Sequence, residues 1–277
     1  MKILIKGGVG MAQNISEMNR EAWNEAMGYI EAARGEALEK GFQDKDFTVL
    51  NRLSDQRIME KLKYYDFTGR NIAHIQCNDG RELLSLMKRG AAKAVGFDIS
   101  DKAIEEAEKL AQIAGLKASF IRTDILDITT GYNKLFDFVY ISEGSLQWFP
   151  DLKAYFEVVS RMMKKGGRLV IYETHPFAYM AEHLTGNDDR VIDDFISYFD
   201  HGPFNYPEGL DNVGNVKYKA KECCWYNHQM SDIVGAILEN NIRIRCFEEY
   251  KELADDHKAK AEISNLPMSY MVIGEKL

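Results

Sequence analysis

The sequence predicts an α/β fold in which a doubly wound, mostly parallel sheet of seven strands ends in an antiparallel hairpin. Between Asn71 and Glu173, short apolar runs alternate with amphipathic segments. Such alternation indicates parallel strands joined by helices on both faces of one sheet. Two late strand-like segments, Ile242–Tyr250 and Ser269–Lys276, close the chain. Consecutive strands of this kind pair as an antiparallel hairpin at the edge of a sheet.

Five apolar runs of strand length are expected to form the parallel part of the sheet. Ser100 is expected to cap the helix after the second strand and Gly115 to end it, while Asp151 begins the helix after the fourth. Gly166-Gly167 is expected to turn the chain into the fifth strand, and Ser231 to open the last helix. The five strands are expected at Ile72–Cys77, Ala94–Phe97, Ala118–Ile121, Phe136–Ile141 and Arg168–Glu173.

Two amphipathic helices are expected ahead of the sheet. Asn14 with Glu17 predicts the start of the first, which extends to near Gly41. The glycines at 7–10 follow a short apolar run and imitate a dinucleotide site. We reject that interpretation because no strand with a terminal acid follows at the required distance. Residues 1–63 are therefore expected to form a helical segment that covers the ligand-binding edge of a main domain at 64–277.

An irregular stretch follows the fifth strand at about 176–217. Acidic side chains such as Asp188 and Asp193 are interleaved there with aromatic ones such as Phe195 and Tyr198. Because ligands bind at the carboxyl ends of parallel strands, we interpret this stretch as an insertion that acts as a lid or recognises the substrate. An exterior decoration of the domain is the alternative.

Composition and charge favour an enzyme that acts on small molecules in the cytoplasm. The net charge is -8 at pH 7, and the sequence shows no cluster of Lys and Arg of the kind that binds nucleic acid. The four cysteines form no CxxC pair and have no histidines at zinc spacing, so neither a disulfide framework nor a metal is expected. No apolar run approaches the roughly 20 residues that span a bilayer. The opening residues also lack the apolar core of a secretion signal.

The turn after the first strand and the acid after the second form the most informative motif. The turn reads Gln76-Cys77-Asn78-Asp79-Gly80, and Asp98 stands at the carboxyl end of the second strand. A carboxylate at that place can accept hydrogen bonds from both hydroxyls of a ribose. The motif therefore predicts a site for an adenosine-like ligand.

With this motif and seven expected strands, the chain resembles the class I S-adenosylmethionine-dependent methyltransferases, which have a Rossmann-like fold. The resemblance extends over Tyr64 to Glu173 and, more loosely, over the terminal strands. In that family the first strand ends in an acid and a GxGxG turn, whereas here His74 replaces the acid and Gln76 and Asn78 replace two glycines. Asn is the residue that best tolerates the left-handed backbone after glycine. A plain strand-to-helix connection is the alternative interpretation of the turn.

The resemblance implies that S-adenosyl-L-methionine is the cofactor. By position, Asp98 would bind its ribose hydroxyls and Ile99 would pack on the adenine face. Asp124 would accept the adenine amino group, and Ile125 would offer its backbone amide to the ring. The alternatives are that Asp124 is a helix cap and that Trp23 packs in the core rather than against the cofactor. The implied cofactor-binding residues are Gln76, Cys77, Asn78, Gly80, Asp98, Ile99, Thr123, Asp124, Ile125, Ser142 and Trp23.

Methyl transfer requires alignment of the nucleophile with the sulfonium and, where the nucleophile carries a proton, a base. Glu143, in the loop after the fourth strand, is the best-placed carboxylate, with a structural hydrogen bond as its alternative role. His175, after the fifth strand, is the other candidate base because imidazole titrates near neutral pH. A histidine before a proline can also simply fix a loop.

The expected function is methylation of a small molecule by a monomer or homodimer that binds neither nucleic acid nor a membrane. An RNA or protein methyltransferase is one alternative. A non-catalytic regulatory protein that binds S-adenosylmethionine is another, because the turn departs from the family pattern. A nicotinamide-dependent dehydrogenase is a third, since Asp98 suits any ribose, but Asp124 and the terminal hairpin argue against it.

Overall fold

The computed structural model describes residues 9–181, 196–207, 209–210, 213–214, 216–253 and 266–277, with the backbone alone at 9–14 and 181. Its strands are β1 (Asn71–Ile75), β2 (Lys93–Asp98), β3 (Ala118–Arg122), β4 (Phe136–Ile141), β5 (Met163–Thr174), β6 (Ile242–Tyr250) and β7 (Ser269–Lys276). They form one sheet in the order β3-β2-β1-β4-β5-β7-β6. The strand order reverses at β1, as in a doubly wound fold, so the predicted fold class is confirmed.

Eight α-helices are described beside this sheet. They are α1 (Val9–Arg34), α2 (Ala37–Phe42), α3 (Leu53–Lys61), α4 (Arg81–Met87), α5 (Asp101–Ala114), α6 (Leu152–Met162), α7 (Pro176–Ala181) and α8 (Met230–Glu239). The chain groups into two compact units. One contains β1 to β3 with α1, α2, α4, α5 and residues 203–226, and the other contains β4 to β7 with the remaining helices.

In the first unit, β1, β2 and β3 run parallel, so their carboxyl ends share one edge. Asn71 lies opposite Lys93, and Asp98 lies opposite Arg122. Strand β1 is buried from its second residue onward, as expected of a strand covered on both faces. The polar groups that follow these three strands are consequently brought together at one end of the unit.

In the second unit, β5 pairs in parallel with β4 and antiparallel with β7, and β7 pairs with β6. Burial alternates along β6, as expected of an edge strand with one solvated face. Helix α3 belongs to this unit. Its Arg57 donates to the Tyr172 hydroxyl at 2.9 Å and stacks over the Tyr250 ring, with 3.9 Å between the guanidinium carbon and the ring centroid.

Several predicted helix ends are confirmed, because a local side chain decides them. The Ser100 hydroxyl accepts the Ala103 amide and caps α5, and Gly115 ends that helix with φ of 63°. The Asp151 carboxylate accepts the Ala154 amide at the start of α6. These caps satisfy amides that have no partner within the helix.

Several predicted boundaries were wrong. Helix α1 begins at Val9 rather than Asn14, and it ends at Arg34 rather than near Gly41. Strand β5 begins at Met163, ahead of the predicted glycine turn, and its pairing with β4 shifts there. Helix α8 begins at Met230 rather than at Ser231. Gln229 and Asp232, which flank the predicted start, form a capping box there.

The predicted insertion at about 176–217 is described in part. Of the residues singled out there, Asp188, Asp193 and Phe195 lie outside the described residues. Residues 203–226 belong to the first unit and pack on α1, where the rings of Tyr29 and Tyr218 stack with centroids 4.1 Å apart. No helix within the described ranges is long and apolar enough to cross a bilayer.

Candidate active site

The turn after β1 keeps a left-handed backbone at each alternate position. Gln76, Asn78 and Gly80 have φ of 56°, 49° and 71°. Glycine adopts this region at no steric cost, Asn tolerates it, and Gln does so at a cost that its surroundings must offset. The backbone of a glycine-rich turn is therefore present here, although two of its three glycines are replaced.

Gly80 cannot be replaced in the same way, because its Cα lies against the next layer of the fold. A Cβ at this position would fall 2.5 Å from the Phe120 ring and 3.0 Å from the Ala107 methyl carbon. Gly96 of β2 is equally constrained, with a Cβ position 2.7 Å from the Cys77 sulfur. Close packing of the turn on its neighbours thus requires glycine at these two places.

Asp98 links the turn to the start of α5. Its Oδ2 accepts the Asn78 amide at 2.8 Å, and its Oδ1 accepts the Ser100 amide at 2.9 Å. Burial raises the pKa of the Asp98 carboxyl, and the backbone hydrogen bonds oppose that rise. An ionised carboxylate accepts about four hydrogen bonds, so Asp98 keeps acceptor capacity beyond these two.

The segment after β3 brings a second acid to the same edge. Asp124 Oδ1 accepts the Leu126 amide at 2.9 Å, so the residue does cap a short 3₁₀ helix, and its Oδ2 accepts the Ser16 hydroxyl. Ile125 is buried in that helix, and Ile99 is half-buried beside Asp98. The capping role does not use all the acceptor capacity of the Asp124 carboxylate.

Asp79 faces a cation from α1. The fully buried carboxylate forms an ion pair with Arg34, and its Oδ1 accepts the Arg81 amide at 3.3 Å. Burial lowers the pKa of Arg34, and the charge of Asp79 opposes that change. The neighbouring Cys77 is also buried, which raises the pKa of its thiol well above the ordinary range. Cys77 can therefore contribute backbone groups to a ligand rather than a reactive thiolate.

Helix α1 places further polar side chains against the strand ends. Besides Ser16 at Asp124, Arg20 forms an ion pair with Asp101. Asn24 accepts the Ser100 hydroxyl at 2.8 Å. Sequence reasoning did not identify these three residues, although they recur every fourth position and hence share one helix face.

Trp23 lies half-buried on the same helix. It packs against a cluster made by α1 and α5 together with two residues of the later segment. The members of this cluster besides Trp23 are Ala26, Met27, Ile30, Ala103, Leu210 and Val213. This packing agrees with the alternative role of Trp23, and its contact with a cofactor stays a prediction.

In the second unit, Glu173 fixes the loop after β4. Its buried carboxylate accepts the amides of Gly144, Ser145 and Leu146 at 2.9, 2.6 and 2.8 Å. Burial raises the pKa of Glu173, and these backbone hydrogen bonds oppose the rise. Sequence reasoning missed this function, although an acid at the end of a strand was the available signal.

Glu143 and Ser142 lie half-buried in the loop that Glu173 holds. Glu143 Oε1 accepts the Thr174 hydroxyl at 2.9 Å, and the Ser142 carbonyl accepts the Ser145 hydroxyl at 2.7 Å. The candidate base thus stands at the end of β4 with a partner from the end of β5.

His175 is buried and hydrogen-bonded through both ring nitrogens. Nδ1 accepts the Phe177 amide at 3.2 Å, so Nε2 carries the proton and donates to Glu249 Oε1 at 3.1 Å. Burial lowers the pKa of His175, and Glu249 opposes that change. In this arrangement the ring joins β5 and β6 and fixes the start of α7.

The segment that carries these strand ends is similar to known proteins. Residues 72–167 match a family model described as a methyltransferase domain. A sterol 24-C-methyltransferase of Aspergillus fumigatus is 31% identical over 107 residues, which cover 38% of this chain and 28% of that enzyme. The chain covers less than half the length of each curated relative that it matches.

Solved structures share the fold over most of the chain. An S-adenosylmethionine-dependent methyltransferase from Mesorhizobium loti has a TM-score of 0.61 at 19% identity, covering 82% of this chain and all of that one. A magnesium protoporphyrin IX methyltransferase from Synechocystis with bound SAH has a TM-score of 0.58 at 15% identity, covering 95% and 99%. At such identities the likeness shows the fold alone.

Proposed function

We propose that this chain, whose residues 72–167 match a family model described as a methyltransferase domain, is a class I S-adenosylmethionine-dependent enzyme that transfers a methyl group from S-adenosylmethionine to a small molecule. One observation carries the proposal: the left-handed turn at Gln76, Asn78 and Gly80 stands beside Asp98 at the ends of adjacent parallel strands. Asp124 follows the third strand at the same edge.

The donors and acceptors at this edge fit the cofactor. Asp98 and Asp124 each use part of their acceptor capacity on backbone amides, which leaves lone pairs for ribose hydroxyls and an adenine amino group. Ile99 and Ile125 supply apolar surface for a ring. The turn after β1, with the backbone of Cys77, and the backbone of Thr123 after β3 would hold the methionine and adenosine parts of the cofactor.

S-adenosylmethionine supplies an electrophilic methyl group when it is bound. The chain itself would align the acceptor and remove its proton. Glu143 is the proposed base, because the loop that carries it is held in place by Glu173. Ser142, in the same loop, would contact the cofactor. The two hydrogen bonds of His175 support a role in positioning the segment after β5 more than a role as proton acceptor.

Two observations support a small-molecule acceptor. The chain has 43 acidic and 35 basic residues, which disfavours a nucleic-acid substrate. The sterol 24-C-methyltransferase of Aspergillus fumigatus, one of the curated relatives, acts on a small molecule, as its name states. A cytoplasmic monomer or homodimer, with residues 1–63 covering the cofactor site, is part of the same proposal.

Calorimetry with two nucleotides tests the cofactor. We expect the full chain to bind one equivalent of S-adenosylhomocysteine and to bind no NAD under the same conditions. Binding of NAD alone would contradict the proposal, because it would make the chain a dehydrogenase.

Transfer of a radiolabelled methyl group then tests the acceptor. The protein is incubated with labelled S-adenosylmethionine and a cell extract divided into small-molecule, RNA and protein fractions. We expect label in the small-molecule fraction and none above background with Glu143→Gln. Label confined to RNA or protein would overturn the acceptor class, and cofactor binding without transfer to any fraction would favour a regulatory protein.

A further inference from the structure

The second unit contains a group of metal-ligating side chains that have no part in the proposed methyl transfer. His201, His228 and Asp232 each offer one ligand atom, and these atoms lie within 4.8 Å of one another. His201 follows the part of the insertion that lies outside the described residues, and the other two stand at the start of α8. The sequence spacing did not indicate a metal, because folding brings distant segments together here.

His228 is oriented as a metal ligand would be. Its Nε2 lies 2.8 Å from the Phe149 carbonyl oxygen, and a carbonyl can only accept, so the ring proton is on Nε2 and the lone pair is on Nδ1. His228 is buried. A histidine that donates one nitrogen to a backbone carbonyl and offers the other to a cation is the usual arrangement in metal sites.

His201 repeats this arrangement on the solvent side. Its Nδ1 donates to the Asn227 carbonyl at 3.1 Å, so the lone pair is on Nε2, which lies 3.5 Å from the Gln229 side-chain nitrogen and would exchange that contact for a cation. The same Nδ1 lies 3.8 Å from Asp232 Oδ2, so the carboxylate already faces the ring. Asp232 is itself held by the Gln229 amide, which donates to Oδ2 at 3.0 Å. Two oriented imidazoles and one fixed carboxylate therefore lie close together.

We propose that His201, His228 and Asp232 form a binding site for a divalent transition cation, for which Zn²⁺ is the best match. Two nitrogens and one oxygen suit zinc rather than magnesium or calcium, which prefer oxygen ligands. Ligands of a tetrahedral zinc are about 3.3 Å apart, so separations of up to 4.8 Å need to contract by up to about 1.5 Å. Exposed His201 lies in a connecting segment that can make this adjustment.

Three protein ligands leave the fourth position of a tetrahedral site to water or to an oxygen atom of another molecule. The cation would tie the segment at 201 to the start of α8, and through the Phe149 carbonyl to the loop after β4. Because the cation binds the folded chain, it would also raise the unfolding temperature, and the rise would grow with the logarithm of the cation concentration above Kd.

Zinc titration of the full chain tests this site without any cofactor. The protein is stripped with a chelator, dialysed and titrated with zinc chloride in a calorimeter. We expect one equivalent to bind with Kd of about 1 µM or tighter. The substitutions His201→Gln, His228→Gln and Asp232→Asn should each weaken binding about tenfold or more.

Glu239→Gln is the matched control, since it removes a carboxylate from the other end of α8, where Glu239 pairs with Lys153. It should bind zinc as the wild type does. If His228→Gln fails to fold, His201→Gln still tests the site, because His201 is exposed. The proposal is overturned if the wild type binds no zinc at about 100 µM, or if His201→Gln binds it with unchanged affinity. Neither result depends on methyl transfer.

Discussion

Asp98 serves two functions at the scale of a single residue. Its carboxylate joins the turn after β1 to the start of α5 through the amides of Asn78 and Ser100. It is also the acceptor that we assign to the ribose. Because it is almost fully buried, the protein must keep it ionised through these amides rather than through solvent.

We expect Asp98→Asn to weaken binding of S-adenosylhomocysteine by about 10- to 100-fold, because a hydrogen bond to a charged group contributes about 1.5 to 3 kcal/mol. Calorimetry measures this change. Wild-type affinity should also decline as the pH falls from 7, since burial raises the pKa of Asp98 and the protonated carboxyl accepts less well. The variant should not show that decline.

The exposed Asp127, in the 3₁₀ helix beyond Asp124, supplies the control for this experiment. Asp127→Asn removes one carboxylate from the same unit and should leave the affinity unchanged. Equal affinities of wild type and Asp98→Asn, with both proteins folded by circular dichroism, would show that Asp98 does not hold the ribose.

Some site residues could be predicted from sequence and others could not. Asp98 was predictable because an acid directly after a buried strand has a fixed place at the sheet edge. The pairs Arg34 with Asp79 and Ser16 with Asp124 were not, because their members are 45 and 108 residues apart and meet only through tertiary packing. The left-handed backbone at Gln76 was also hidden, since Gln carries no local signal for it.

At the scale of elements, α1 crosses the ends of β1, β2 and β3. Polar side chains of the helix contact Asp79, Asp101 and Asp124, each of which follows a different strand. On another side, Asn19 of α1 exchanges two hydrogen bonds with the Cys224 backbone, at 2.9 and 2.7 Å. The helix is thus held between the strand ends and residues 203–226, where it would cover a bound cofactor.

We expect this cover to tighten when the cofactor binds. In hydrogen exchange with mass spectrometry, amides of 9–34 should exchange more slowly with S-adenosylhomocysteine present. Asn24→Ala should speed their exchange about 100-fold without ligand, because it removes bonds to Ser100, Asp101 and Lys102, each worth about 1 kcal/mol.

Asn133→Ala provides the comparison for that variant, since Asn133 is exposed in the other unit and its side chain accepts a hydrogen bond from Arg161 at 2.7 Å. It should leave exchange in 9–34 unchanged. Ligand binding that does not alter exchange in this range would argue against a covering helix.

The existence of the elements was more predictable than their ends. Strands and helices between β1 and β5 followed from apolar spacing, and caps such as Ser100 and Asp151 marked helix starts because a short polar side chain satisfies the first amides. The start of α8 was misplaced because Gln229 caps it together with Asp232. Gln is not among the residues that usually announce a helix start.

At the scale of the whole molecule, charge separates the remaining classes of substrate. The net charge of -8 opposes the approach of a polyanion, and long-range attraction to phosphate requires clustered cations. Several of the cations near α1 are already paired, such as Arg20 with Asp101 and Lys221 with Glu21. The chain therefore offers little electrostatic attraction for RNA in the unit that carries the cofactor-binding strand ends.

We accordingly expect no binding of labelled tRNA at about 10 µM protein, even at low salt, where electrostatic affinity is greatest. Fluorescence anisotropy measures this, with a basic RNA-binding protein as the positive control. Saturable binding that weakens steeply as the salt concentration rises would reveal a surface that contacts phosphates. It would then support the alternative function of an RNA methyltransferase. Absence of binding, combined with label in the small-molecule fraction, would leave a small acceptor as the substrate, because the same charge that repels RNA does not affect a neutral ligand.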